Sequence, residues 1–145
     1  MVSHSSPNKV ALIVGYAGLI PFVSLSAALV YANENHQAVF LLSLLAYGST
    51  IISFIGAIHW GLTMREVQAN WFSLIWGVVP SILAWLSLLF ADNLGLTIQF
   101  MTLWACFFID LKRYPYFGVA PWLTLRLKLT LGASICLLIP LIIRN

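Results

Sequence analysis

The sequence predicts an all-α fold, a polytopic integral membrane bundle of five transmembrane helices. Of its 145 residues, 61% are hydrophobic and 8% are charged, whereas soluble domains average about 45–50% apolar and about 25% charged residues. Polar breaks also divide the chain into five apolar segments, most of them near the roughly 20 residues that a helix needs to cross the hydrocarbon core. We therefore expect a single membrane domain over residues 1–145, with most of its surface facing lipid.

The five helices are expected at residues 10–31, 38–62, 72–90, 94–111 and 123–143. The first exceeds the apolar length of a secretory signal, about 7–15 residues, which favours a retained helix. The fourth is short, but Asp92, Asn93 and Gly95 predict a tight turn before it, so we expect it to reverse directly after the third. Pro21 and Pro80 fall inside predicted helices, where a structural kink is favoured over a functional break.

The basic residues predict the orientation of the bundle, because positive residues are retained in the cytoplasm. One predicted side holds only Arg144, so we expect the N-terminus inside and the C-terminus outside. The opposite, cytoplasmic side holds Lys9, Arg65, Lys112, Arg113, Arg126 and Lys128. Aromatic residues expected at the same boundary are Trp60, Trp71, Tyr114, Tyr116 and Trp122. The first eight residues lack arginine, which favours a bacterial inner membrane, with the mitochondrial inner membrane as the alternative.

Small residues recur every four positions along the second predicted helix. Close backbone approach through small residues supplies much of the association energy between helices in lipid. The row comprises Ser49, Ser53, Ala57 and Gly61. It predicts that the second helix forms the centre of the bundle.

Three ionisable residues reach similar depth on the predicted cytoplasmic side: His59, Asp110 and Arg126. Charges within a membrane are costly and tend to face partners or water, so we expect Asp110 and Arg126 to pair, with His59 nearby. One interpretation is a proton-handling or anion-binding site, since histidine can change its charge near neutral pH. The other, which we favour, is a structural ion pair near the interface.

The sequence offers little for cofactor or enzyme chemistry. His36 and His59 belong to one helix region and lie about 34 Å apart at about 1.5 Å per residue, too far to share a haem iron. Cys106 and Cys136 fall at different predicted depths and are expected to be unpaired. Since no catalytic motif is present, we expect no enzyme, no metal and no cofactor. The formal charge of +3 is not clustered on a soluble face, so no nucleic-acid partner is expected.

Three stretches resemble a known membrane family: GYAGLIPF at 15–22, SFIGAIHWG at 53–61 and PWLTLRLKLT at 121–130. In order and spacing they are similar to the transmembrane protein 69 family, also described as domain of unknown function 3429. The resemblance implies a five-helix protein of bacterial inner membranes with relatives in mitochondria. It also extends to Asp110 and to the Leu125 and Arg126 pair, and it implies no catalytic residue.

Two function classes follow from the sequence. In the first, the chain is a non-enzymatic component that packs against other membrane proteins or itself, or helps to assemble a larger complex. In the second, it is a small conduit for protons, ions or a solute that uses His59, Asp110 and Arg126. Because the helices carry few polar groups to line a hydrated path, the first class is favoured.

Overall fold

The computed structural model describes residues 6–68, 70–90 and 92–143. Within these residues, five helical stretches are long and apolar enough to cross a membrane, which confirms the predicted all-α membrane fold. In chain order, the elements are α1 (Lys9–Ala17), α2 (Ile20–Tyr31), α3 (Glu34–Thr63), α4 (Trp71–Leu89), α5 (Asn93–Tyr116), a 3₁₀ turn (Ala120–Trp122) and α6 (Leu123–Ile143).

Helices α1 and α2 together form the first span, which is interrupted at Gly18 and Leu19. Pro21 lies in the first turn of α2, and because proline has no backbone N–H it cannot continue the hydrogen-bond ladder from α1. The carbonyl of Gly18 instead accepts a hydrogen bond from the hydroxyl of Tyr47, at 2.8 Å. The proline thus acts at the start of a helix rather than as a kink inside one continuous helix.

Short polar caps set the reversals between later helices. The side chain of Asn70 accepts a hydrogen bond from the N–H of Phe72 at the start of α4. The Oδ1 atom of Asp92 accepts hydrogen bonds from the N–H groups of Leu94 and Gly95, so the predicted turn residues cap α5. Such side-chain acceptors satisfy N–H groups that have no partner within the first helical turn.

Helix α5 is longer than its apolar segment, since it continues past residue 111 to Tyr116. Arg113, in the added turn, donates a hydrogen bond to the Oγ of Ser73 at 2.5 Å. Its guanidinium also lies 5.1–5.8 Å from the ring centroids of Phe72, Tyr116 and Phe117. These contacts hold the charged last turn of α5 beside the ends of the membrane spans. Hydropathy alone does not predict this extra turn.

Helix α3 packs against α2, α4 and α5, while α6 packs against α1, α2 and α5. Helix α3 approaches α4 closely at Gly56, where an added Cβ would lie 2.8 Å from the carbonyl oxygen of Gly77. The absence of a side chain at Gly56 therefore lets the two backbones meet, as is typical of helix contacts in lipid, while a Cβ at Gly77 would meet the ring of Trp60. The buried core around α3 includes Phe22, Leu41, Leu44, Leu45, Ile52, Leu96 and Leu103.

The predicted row of small residues on α3 only partly faces this core. Ser49 is buried and donates a hydrogen bond to the carbonyl of Ala84 at 2.9 Å, and Ser53 is half-buried. Ala57 and Gly61 are exposed, and a Cβ added at Gly61 would meet no described atom within 4 Å. The prediction was therefore wrong for Ala57 and Gly61 as packing residues within the chain. A spacing of four drifts by about 40° per step around a helix with about 3.6 residues per turn, so the row winds out of the core.

Candidate functional site

Asp110 joins three helices at the end of the bundle where α1 and α6 begin and α3 and α5 end, called here the basic end. Its Oδ1 lies 2.8 Å from the Nε2 of His59 on α3, and its Oδ2 accepts a hydrogen bond of 2.8 Å from the Nε of Arg126 on α6. The structure therefore brings together all three residues of the predicted polar cluster, with Asp110 between the other two.

The protein surrounds this cluster, called the Asp110 cluster below. Asp110 is 0% exposed, His59 1% and Arg126 8%. The Nη2 of Arg126 also lies 2.8 Å from Oδ2, but its N–H direction does not meet hydrogen-bond geometry, so Nε provides the directed bond. Both carboxylate oxygens are thus occupied. Because removing one partner of such a buried pair leaves the other charge uncompensated, each member depends on the others.

The local chain path explains why Arg126 reaches Asp110. After α5 ends, Gly118 adopts a left-handed conformation with φ of 71°, which glycine tolerates without steric cost. The 3₁₀ turn Ala120–Trp122 then leads into α6, and Arg126 lies in its first turn beside the last turns of α5. A short reversal therefore returns the basic residue to the aspartate only 16 residues earlier in the chain.

Tyr114, which the sequence predicts at the cytoplasmic boundary, is also part of this site and is buried by the protein. It is only 2% exposed, and its ring centroid lies 6.2 Å from that of His59. Tyr114 follows Asp110 by four residues, so the two side chains share one face of α5, and this spacing could have indicated its place in the cluster.

Three polar atoms in or near the cluster lack a hydrogen-bond partner among the described residues: His59 Nδ1, Arg126 Nη2 and, one turn after His59, Thr63 Oγ1. A carboxylate can only accept hydrogen bonds, so the ring proton of a neutral His59 belongs on Nε2, which leaves Nδ1 as an acceptor. The Asp110 and Arg126 charges cancel each other. The arrangement therefore joins three helices and leaves one ring nitrogen of His59 without a hydrogen-bond partner among the described residues.

Gln99 forms a second buried polar site, which the sequence interpretation missed. Its Nε2 lies 2.6 Å from the carbonyl oxygen of Leu45, 3.0 Å from the Oγ of Ser49 and 2.9 Å from the Oγ of Ser87. Gln99 is 0% exposed and lies about 16 Å along α5 from Asp110 at about 1.5 Å per residue. A lone amide within an apolar helix was the available signal. We call this set the Gln99 network.

The remaining candidates do not join either site. Cys106 and Cys136 are buried and free. His36 is exposed near the start of α3, far along that helix from His59. Among the described residues, no group of three His, Cys, Asp or Glu side chains comes together in a way that could hold a metal ion.

The family model described as "Protein of unknown function (DUF3429)" matches residues 7–142. This chain belongs to the DUF3429 family. Its DUF3429 region includes both the Asp110 cluster and the Gln99 network, since both lie within the matched residues.

Two relatives of the DUF3429 chain carry the name transmembrane protein 69. The protein of Xenopus tropicalis is 40% identical over 89 residues, which cover 59% of this chain and 35% of the frog protein. The protein of Mus musculus is 28% identical over 145 residues, which cover 94% of this chain and 57% of the mouse protein. The chain thus spans about a third to a little over half of the length of these relatives. No solved structure matches it.

Proposed function

We propose that this membrane protein is a non-enzymatic component that packs against other transmembrane helices and serves as an accessory or assembly component of a membrane complex. The observation that carries the proposal is the outward position of Ala57 and Gly61 on α3. Small residues on an outer helix face let a second helix approach closely, and such contacts associate helices in lipid.

The outward face of α4 offers an internal comparison. Its exposed positions are bulky, as at Ile75, Ile82 and Trp85. Bulky apolar side chains are well suited to contact with lipid tails, whereas alanine and glycine allow a second helix to approach closely. The contrast supports a protein partner, either another membrane protein or a second copy of this chain, at α3.

The test replaces Ala57 or Gly61 with leucine and purifies the chain at native expression in mild detergent. We expect each variant to lose the proteins that co-purify with the unaltered chain, while the stability of the isolated chain changes by no more than about 0.5 kcal/mol. Ile82→Leu is the matched control on α4 and should keep the complex. A chain that purifies alone, or a complex that tolerates both leucines, would contradict the proposal.

We further propose a bacterial inner membrane with the basic end in the cytoplasm, and we keep the mitochondrial inner membrane as the alternative. The described basic residues at or near this end support the orientation, because positive residues are retained in the cytoplasm. Reporter fusions after Asn145 test it, and we expect activity only from a reporter that works outside the cytoplasm. Activity from a cytoplasmic reporter would reverse the proposed orientation.

A proton or ion conduit is the second candidate function. It is favoured by the unpartnered Nδ1 of the buried His59, which can accept a proton beside Asp110. Proton uptake into liposomes containing the purified chain tests this candidate. A conduit predicts uptake that His59→Gln abolishes and that His36→Gln, at an exposed histidine, leaves unchanged. Equal uptake by both variants, or by liposomes without protein, would exclude a route through His59.

A further inference from the structure

An apolar cavity of about 540 Å³ lies between α1, α3 and α6, in the half of the bundle nearest the basic end. Its walls include Val14 of α1, Phe54 and Ile58 of α3, and Leu129 of α6. Along α6 it extends from Trp122 to Ala133, which is roughly 16 Å at about 1.5 Å per residue. The cavity is therefore long and almost entirely apolar, and it lies mainly in the half of the bundle nearest the basic end.

This cavity opens sideways toward the membrane. Val14 and Phe54 border it and are 65% and 66% exposed. Within α1, all of which is described, no residue is buried. Among the helices, α1 makes its main contact with α6, where Gly15 faces Leu125 and Leu129. A molecule in the surrounding leaflet can thus enter between α1 and α3 without disturbing the core.

Two buried polar side chains interrupt the apolar wall on α6. Arg126 and Thr130 both line the cavity and are 8% and 1% exposed. Arg126 Nη2 and Thr130 Oγ1 have no hydrogen-bond partner among the described residues. The charge of Arg126 is offset by Asp110 at 2.8 Å, so the site offers hydrogen bonds rather than a net positive charge. An apolar pocket with a few convergent polar groups is the usual form of a ligand site.

We propose that the cavity binds one acyl chain of a glycerophospholipid, whose ester oxygens accept hydrogen bonds from Arg126 and Thr130. The depth of Arg126, in the first turn of α6, fits an ester group just inside the interface. Lys9 begins α1 at the same end and is exposed, where it suits the lipid phosphate. Trp122 borders the cavity at the start of α6, at the level that amphipathic rings prefer.

A neutral isoprenoid quinone is the competing occupant of similar shape, but it has no phosphate for Lys9. The phospholipid proposal does not depend on the proposed assembly function, since neither Ala57 nor Gly61 lines the cavity.

The experiment is native mass spectrometry of the purified full chain after addition of palmitoyl-oleoyl phosphatidylethanolamine, with ubiquinone as competitor. We expect one tightly retained phospholipid per chain. Ala11→Phe places a large ring in the cavity from a helix without buried residues, and we expect it to abolish this retention. Ile13→Phe is the matched control, because Ile13 is 69% exposed on the same helix and does not line the cavity.

Thr130→Val tests the polar contact while it keeps the shape of the side chain. Loss of one hydrogen bond should lower phospholipid retention about two- to tenfold. Thr124→Val, at an exposed position of α6, should leave retention unchanged. Thermal unfolding in detergent identifies any variant that has lost its fold. Equal retention in Ala11→Phe and Ile13→Phe, preferential retention of ubiquinone, or no retained lipid would each overturn the proposal.

Discussion

The Asp110 cluster and the Gln99 network both connect α3 to α5, but they do so with different chemistry. The first is ionic, lies at the basic end and also includes α6 through Arg126. The second is neutral, lies toward the opposite end of α5 and includes α4 through Ser87. The contact between α3 and α5 is therefore stabilised at two places, by an ion pair at one and by neutral hydrogen bonds at the other.

The difference lies in what each site loses when one partner is removed. In the Asp110 cluster both carboxylate oxygens are occupied, and a missing partner leaves a buried charge. In the Gln99 network the amide donates to atoms that keep other bonds, since the hydroxyls of Ser49 and Ser87 both donate to the carbonyl of Ala84. We therefore expect strong mutual dependence in the ionic site and weaker dependence in the neutral site.

The largest expected effect comes from breaking the ion pair. Asp110→Asn or Arg126→Gln alone should lower the free energy of unfolding by about 3–5 kcal/mol, because each leaves one buried charge without its partner. The double variant should lose clearly less than the sum of the two. Unfolding of all three variants in detergent gives the coupling free energy directly.

Lys112→Gln is the control for this double-mutant comparison, since Lys112 is a charged residue on the same helix as Asp110 but is exposed. It should change the free energy of unfolding by no more than about 0.5 kcal/mol. Strict additivity of the Asp110 and Arg126 substitutions would show that the two residues do not stabilise each other.

An intermediate effect should follow from adding one methyl group beside Gln99. A Cβ at Gly48 would lie 2.0 Å from Gln99 Oε1, and the amide is held by the contacts of its Nε2. Gly48→Ala should therefore lower the free energy of unfolding by about 1–3 kcal/mol through overpacking. Gly61→Ala is the matched control on the same helix and should stay within about 0.5 kcal/mol. A tolerated Gly48→Ala would mean that the Gln99 side chain can move freely.

The ionic site could be predicted from the sequence because charge is rare and costly in a membrane. Asp110 and Arg126 could therefore be recognised as candidate site residues from the sequence alone. The lone amide of Gln99 was a weaker signal, since a neutral amide in a helix can face a partner or the membrane interface at modest cost. Its role became visible only when α3 placed Gly48 and Ser49 opposite it.

The five spans could also be predicted from the sequence, but the exact end of α5 and the direction that the small residues of α3 face could not. Apolar length indicated the five spans, but it could not show that α5 continues to Tyr116, where Arg113 is held by aromatic rings. Spacing indicated a row of small residues on α3, but it could not show which part of a row that winds around the helix would face the core. Both details depend on neighbouring helices, which local sequence does not specify.

The smallest effect should come from removing the Gln99 amide, and it separates charge from hydrogen bonding as the source of helix association. Gln99→Leu replaces the amide with an apolar side chain of similar size and leaves no charge behind. Side-chain hydrogen bonds within membranes contribute about 0.6 kcal/mol each on average, so the loss should be about 1–2 kcal/mol. Gln37→Leu, at a half-buried amide whose contact with Ala32 is 3.5 Å, is the control and should have little effect. Unfolding in detergent compares both with Asp110→Asn. If Gln99→Leu proved as costly as Asp110→Asn, the neutral network would be as important to the fold as the ionic one, and the proposed contrast between them would fail.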